Sequence, residues 1–499
     1  MPRLNAEQAA QITNELTKRL NERRPKIQKR IDYLTGECGR LVFASEEFSK
    51  HFADRYEHFS DNWCEPVVQA AAERINLKGI RLSGSDEADP DLHRVMMEND
   101  YETGFSEAVT LTLAASRSFA LVWGNEDDPD TPSVTFEHPS QAIVAYEPGT
   151  RKRRYGLKFW IDVDEGFDYA TLYTPDEVWK WQRPRSKVRA ASTSIQLSGW
   201  EPREVRNEPW PLKNPMGVVP LVEMPNRTLL NEEPMSDLDG VMHMQDAINL
   251  AWAYLFNDLD YMSLPQRIVN GGEVPKIPIL DKDGRPTGQY QVVDLNEFIK
   301  NRILWIQSRP GQDVKTDQWS AADGRAFLDV VERAVEHIAA QTRTPPHYLI
   351  AKMVNTAADA LTVAEAGLVS RCGERATYMT PGAREIYRLI CLAQGNEAKA
   401  KLVRSGSLIW GDMQYRSEAQ RADALYKKRQ MGYPLELILE MDGFDPADIP
   451  RIMEMVEREK RDSQLEEVTR ALAMRDAMGE PQGSDDNGDE DAAGDSSER

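Results

Sequence analysis

Residues 226–395 constrain this chain more than any other stretch. Two helical runs bracket a strand-rich insertion, a double-proline loop follows, and an alanine-rich helical run comes last. Ser236-Asp237-Leu238-Asp239 is a capping signature. Behind it Leu238, Val241, Ile248, Leu255 and Leu259 keep helical spacing until Pro265. At 1.5 Å per residue that run is a rod of about 40 Å. Residues 266–318 read as short strands and turns, with Gly271-Gly272, a hairpin-like Asp281-Lys282-Asp283-Gly284 and the apolar run 303–306. A second rod starts at the capping signature Ser320-Ala321-Ala322-Asp323. It carries Phe327, Val331, Val335 and Ile338 as its stripe and stops at Thr344-Pro345-Pro346, where proline lacks the donor. The third run begins near Thr356, with a kink or break expected at Thr380-Pro381-Gly382. Paired rods with a lobe at one end and a stiff loop at the other suit a mechanical part in contact with a long polymer.

The flanking sequence predicts an α+β body. Polar helices are expected over 4–20 and 27–34, punctuated by Arg23-Arg24-Pro25, and further helices over 56–75 and 89–115. Short strands follow at 76–82 and 118–123. From 134 to 210 the period changes to two: Leu157, Phe159 and Ile161 alternate with Lys158, Trp160 and Asp162. This Trp- and Tyr-rich sheet should pack on the preceding helices. Helices are expected again at 417–429, 434–441 and 447–478. Residues 480–499 hold eight acids and one base without an aromatic, and are expected to be disordered.

At 499 residues and 40% hydrophobic, the chain can bury a large core. Its net charge of -21, from 82 acids against 61 bases, disfavours a sequence-reading DNA binder. A protein that DNA must slide past without sticking remains open. The four cysteines form no CxxC pair and read as reduced core thiols of an intracellular setting. The first residues lack a signal-peptide apolar run, and the longest apolar stretch, 247–256, is short and contains Asn249. The expectation is a soluble, non-secreted protein without a membrane partner.

Reactive motifs are missing from the sequence. It has no phosphate-cradling Gly-x-x-x-x-Gly-Lys-Ser/Thr loop, no HExxH, no GxSxG and no GxGxxG. The seven histidines are dispersed away from metal-ligand spacings, so no catalytic residue, metal or cofactor is expected. His337 could be a base, but a mixed helix face favours a surface or packing role. Asp258 and Asp260 could bind a cation, but acids near a helix C-terminus suit local pairing better. The lobe between the rods holds Lys276, Lys282, Arg285 and Arg302 among near-equal acids. These bases are either a solvated surface or a docking face for an acidic partner or phosphates.

With these segments in order, the chain resembles the portal proteins of tailed bacteriophages, of the siphovirus type. The likeness rests on the run from Asn214 to Asn226, with its glycine, apolar, proline, apolar-pair and asparagine pattern, on Met235-Ser236-Asp237-Leu238 and on Gln245-Asp246-Ala247-Ile248-Asn249. It rests also on the run from His138 to Tyr146, on Thr344-Pro345-Pro346-His347-Tyr348-Leu349-Ile350 and on Ala357-Ala358-Asp359-Ala360-Leu361, and spans roughly 61–478. The resemblance implies a portal-type fold: N-terminal helices and α/β wing over 1–234, stem helices over 235–264 and 320–342, and a small β-containing clip over 265–319. It implies a tunnel loop over 343–355, a wing-helix region over 356–416, a helical crown over 417–479 and the acidic tail over 480–499. One departure is Asn355-Thr356-Ala357-Ala358, where the family often has glycine and serine, which shifts the expected hinge by a few residues.

The implied role is a non-enzymatic homo-oligomeric ring, usually of twelve subunits, at one capsid vertex. Double-stranded DNA would enter and leave through its channel, with His347, Tyr348, Lys352 and Asn355 on the tunnel loop. Lys276, Lys282, Arg285 and Arg302 would form the clip face for the terminase large subunit and the head-completion or adaptor protein. Major capsid and scaffold proteins are the other implied partners, with assembly in the host cytoplasm and residence in the virion. A channel that held many phosphates would gain affinity by counterion release and stop DNA from sliding. An acidic body with few bases fits that role. The alternatives are another virion structural or adaptor protein, and a hydrolase built from dispersed acids and histidines.

Overall fold

Helix α1 (Ala6–Thr35) opens the chain and joins two of its cores. Asn5 and Gln8 cap it reciprocally: Asn5 Oδ1 accepts from Gln8 N at 2.8 Å, and Gln8 Oε1 from Asn5 N at 3.1 Å. The sequence predicts two helices here, yet one helix runs through Pro25. A proline inside a helix costs about 3 kcal/mol, and tertiary contacts on both sides offset it. Arg24 Nε donates to Ser140 O at 2.9 Å, Arg30 pairs with Asp239 at 2.6 Å, and Leu20 and Ile27 are buried.

The computed structural model describes residues 3–38, 41–56, 58–185, 199–230, 232–263, 267–270, 276–281, 285–292, 303–306, 315–318, 324–349, 358–414, 418–444 and 448–478. Residues 1–418 form one compact unit and 419–499 a second.

After α1 come α2 (Glu46–Tyr56), which sequence periodicity did not reveal, and α3 (Cys64–Ala72). The helix expected over 56–75 shrinks to α3 because Asn62 Oδ1 takes the Cys64 N–H at 3.0 Å and Pro66 fits the first turn. Strand β1 (Leu77–Arg81) follows as expected. The helix expected over 89–115 divides into α4 (Pro90–Glu98) and α5 (Tyr101–Ala115). Asn99 ends α4 by donating to Val95 O and Pro132 O while accepting from Val134 N. Asp100 then turns left-handed at φ 50°.

The strands from β2 (Arg117–Trp123) and β3 (Ser133–Glu137) onward match the predicted change of period. An antiparallel meander joins β4 (Ala142–Tyr146), β5 (Arg153–Asp162), β6 (Phe167–Tyr173) and β7 (Glu177–Pro184). The short β8 (Glu201–Pro202) and β9 (Leu212–Lys213) add to β7. One face of the meander packs Leu157, Phe159, Leu172, Trp179 and Trp181 on Leu16 and Leu20 of α1. The other face packs Val144, Tyr173 and Val178 on Phe119 and Leu221. It meets the sheet β10-β2-β3, whose β10 is Leu221–Pro225. Gly156 permits this approach, since a Cβ there would lie 2.9 Å from Val219 Cγ1. Helices line the far side of β2, where Ala120 and Val122 enter the largest core.

The rods are α6 (Met242–Ser263) and α7 (Arg325–Thr342). Between them β11 (Arg267–Asn270) pairs in parallel with β14 (Ile303–Ile306) and antiparallel with β15 (Lys315–Gln318). Strands β12 (Lys276–Leu280) and β13 (Pro286–Val292) form the hairpin, closed by Asp281 and Arg285. The signature at 320–323 lies outside the described residues.

The chain continues through α8 (Pro346–Leu349), α9 (Ala358–Ala393), α10 (Glu397–Arg404) and β16 (Ser407–Trp410), which returns to pair with β1. Helix α9 passes Pro381 without the predicted break. Buried Met379, Ala383, Ile386 and Tyr387 hold both halves in the core. Gly382 lets α9 press on β10, because a Cβ there would meet Glu223 O at 2.8 Å. The later helices appear as expected: α11 (Glu418–Gln430), α12 (Leu435–Met441) and α13 (Ile449–Met478). The tail 480–499 lies outside the described residues. No helix among the described residues is long and apolar enough to cross a membrane. The cysteines are all buried, and burial pushes the Cys391 thiol up to about 12.

Phe159→Ala should cost about 3 to 5 kcal/mol, read as a lower urea midpoint for the sheet's unfolding. Glu385 joins α9 to β5 through Arg153 at 2.5 Å. Burial favours its neutral form, but Arg388 and Arg153 outweigh that and hold its pKa below 4.5. A depressed folded pKa gives stability that is present above the unfolded value and lost as pH falls through the folded one. Glu385→Gln should therefore lower stability at neutral pH and flatten the acid limb from the ordinary glutamate range downward, followed by circular dichroism.

Candidate functional site

The two rods are anchored at one end, where α6 begins and α7 stops. Ser236 and Asp239 do interact: Asp239 Oδ2 accepts from Ser236 N at 3.0 Å, and Ser236 Oγ accepts from Leu238 N at 3.0 Å. They close a turn rather than a helix, so α6 starts at Met242. That turn leaves Asp237 facing α9. Arg371 Nε donates to Asp237 Oδ2 at 3.0 Å, and Arg375 reaches Asp237 Oδ1 at 2.9 Å. Arg371 also donates to Thr342 O at 2.7 Å, Thr344 Oγ1 at 3.1 Å and Val67 O at 2.8 Å. One guanidinium thus ties the lead-in of α6, the end of α7, the proline loop and α3 to α9. The side chains of Arg371 and Asp237 are 3% and 4% exposed. Charges so deeply placed persist only when paired and hydrogen-bonded.

The double-proline loop leaves this hub in a fixed direction. Arg343 adopts the left-handed conformation that ends α7, and Thr344 N donates to Ala339 O at 3.0 Å. Of the predicted loop residues, His347 and Tyr348 lie on α8. Arg74 Nη2 donates to Tyr348 Oη at 2.5 Å and pairs with Glu365 at 3.4 Å, while His347 Nε2 lies 3.7 Å from Glu365. The first part of the loop is therefore clasped between α3 and α9. Lys352 and Asn355 lie outside the described residues.

The rods run antiparallel. Gly324, before α7, approaches Leu255 late in α6, where a Cβ would come within 3.1 Å of Cδ1. Ile248, Ala251, Val331, Ala334, Val335 and Ile338 are buried in the core cluster that both helices share. Helix α2 packs aromatic rings on α6: Phe48 meets Tyr254 edge-on at 4.7 Å. Arg55 of α2 pairs with Asp260 at 2.5 Å, a tie between two helices far apart in the sequence. His337 lies on the exposed face of α7. Away from the hub Leu259, Leu328 and Val330 are exposed.

In the lobe, Lys276 and Arg285 stand exposed at opposite ends of one hairpin. Lys282 and Arg302 lie outside the described residues. No group of three or more His, Cys, Asp or Glu side chains among the described residues could hold a metal ion. The hub fixes four elements through buried charge and hydrogen bonds. Asp237, Arg371, Arg375, Arg74 and Glu365 escaped sequence reasoning as a group. Their one sequence signal is a pair of arginines four apart in an alanine-rich helix.

A family model described as "Phage portal protein, SPP1 Gp6-like" matches residues 14–463 of the chain. Among curated relatives, a portal protein of Mycobacterium phage D29 is 26% identical over 404 residues, covering 76% of this chain and 75% of that protein. A portal protein of Mycobacterium phage L5 is 27% identical over 382 residues, covering 72% of this chain and 70% of that protein.

Replacing Asp237 with Asn should destabilise the protein by about 3 to 5 kcal/mol, because two buried arginines lose their counter-charge. A double-mutant cycle with Arg371→Met should recover part of that loss in denaturant titrations.

Proposed function

The chain belongs to the phage portal protein family, SPP1 Gp6-like, and from that premise we propose that it forms a homo-oligomeric ring at a capsid vertex. Double-stranded DNA passes through the ring during packaging and again at ejection. Helices α6 and α7 are the stem, the strands between them the clip, residues 343–355 the tunnel loop, α9 the wing helix and α11–α13 the crown. The observation that carries this reading is the antiparallel rod pair, fixed at one end by the buried Asp237–Arg371–Arg375 cluster and bearing a separate lobe at the other. Exposed Leu259, Leu328 and Val330 give the rods apolar surface that a neighbouring subunit would cover. The net charge of -21 supports a channel in which DNA slides, since contacts to phosphate stay weak and replaceable. His347, Tyr348, Lys352 and Asn355 are the loop residues nearest the DNA path in this reading. Lys276, Lys282, Arg285 and Arg302 face the terminase large subunit and then the head-completion or adaptor protein. Twelve subunits is the family's usual count, and capsid and scaffold proteins complete the partners within the virion.

Size-exclusion chromatography with light scattering and negative-stain imaging should show rings; a lone 56.7 kDa particle would overturn the proposal. Exchanging residues 348–354 for a short glycine linker should impair DNA packaging or retention while rings still assemble. Loss of rings in that variant would show that the loop has been misplaced.

A further inference from the structure

We propose that the Lys158–Thr171–Lys180 row of the β5–β6–β7 meander, next to the rows that pack on β2 and β10, carries a binding cleft for an acidic segment of a partner protein, with Arg203 receiving its carboxylate. The cleft is open and holds about 430 Å³, lined by Glu137, Lys158, Trp160, Thr171, Lys180 and Arg203 among others. Strand register builds it. Lys158, Thr171 and Lys180 stand opposite one another across three strands, and Trp160 pairs with Tyr169 in the adjacent row. Side chains directly opposite share a face, so cations and aromatic rings converge on one patch.

The three cations are not equivalent. Lys158 Nζ is held by Glu137 Oε1 at 2.5 Å, and Lys180 pairs with Glu208. Among the described residues the Arg203 side chain makes no ion pair. Its guanidinium lies over Tyr169 at 4.3 Å and Trp160 at 5.5 Å from the ring centroids. Its backbone N–H donates to Lys180 O at 3.0 Å, which fixes the residue to β7. The two rings hold the guanidinium, and among the described residues its N–H fork has no acceptor, an arrangement suited to bidentate capture of a carboxylate. Aromatic side chains beside an arginine are also the usual anchors of protein interfaces. A nucleic acid is the poorer fit. Among the described residues of the cleft one cation is unopposed, too few for the several phosphate contacts that hold a nucleic acid.

The test uses the full chain and a fluorescein-labelled hexaglutamate peptide, followed by anisotropy at low ionic strength. Arg203→Ala should weaken binding at least about tenfold, the scale of a lost charge-assisted contact. Arg203→Lys, which keeps the charge and loses the planar fork, should weaken it several-fold, with circular dichroism confirming the fold of both. Arg154→Ala, which removes an exposed cation from β5 outside the cleft, should leave binding unchanged. Equal loss in Arg154→Ala and Arg203→Ala, or wild-type binding by Arg203→Ala, would overturn the inference. So would displacement of the peptide by oligothymidylate as effective as that by unlabelled hexaglutamate.

Discussion

The arrangement of the rods depends on one buried carboxylate. Asp237 sits between Arg371 and Arg375, and Arg371 spends its remaining donors on Thr342, Thr344 and Val67. Hydrophobic packing alone holds helices together without fixing their ends, because apolar contact is non-directional. A shared guanidinium is directional: each N–H has one acceptor, and each acceptor belongs to a different element. The end of α7, the start of α6, the proline loop and α9 are thereby held in one relative position. That position sets the direction in which the proline loop leaves α7.

The long helices α1 and α9 serve the same fixation. Helix α1 crosses from the meander, where Leu16 and Leu20 are buried, to the hub region, where Arg30 pairs with Asp239 and Tyr33 donates to Asp246 at 2.5 Å. Helix α9 presses on β10 at Gly382 and pairs with β5 through Glu385 and Arg153. Both long helices contain a proline and both stay continuous. Burial on either side of each proline outweighs the lost backbone hydrogen bond, since several large apolar side chains bury more free energy than one missing donor costs.

Much of this was legible in the chain. The period-two pattern at Leu157, Phe159 and Ile161 gave the meander, and the stripe Val331, Val335 and Ile338 gave α7. The Asp281–Gly284 signal marked the hairpin whose strands pair as β12 and β13. The misreadings share a cause. Pro25 read as a helix boundary and Pro381 as a kink or break because local propensity knows nothing of the core around them, and both helices run on. Helix α2 went unread because its aromatic face is covered by Tyr254 and Phe256, some two hundred residues later in the chain. Asn99 looked like an ordinary helical position, yet it ends α4 by bonding to the strand that follows Pro132. The double proline marked the end of α7, but the contacts of Arg74 with Tyr348 and Glu365 were not legible.

The sequence by itself determined the order of helices and strands, the acidic balance, the lack of a reactive motif and the family. Those properties follow from local periodicity, from counting charges and from runs of neighbouring residues. Only the tertiary structure decided which residues fix the rods. Asp237 meets Arg371 across 134 positions of sequence, and Arg203 meets Trp160 and Tyr169 through strand register. A charge in a sequence is satisfied by water until the fold removes it from water. Its partner is then whichever group the packing brings within reach.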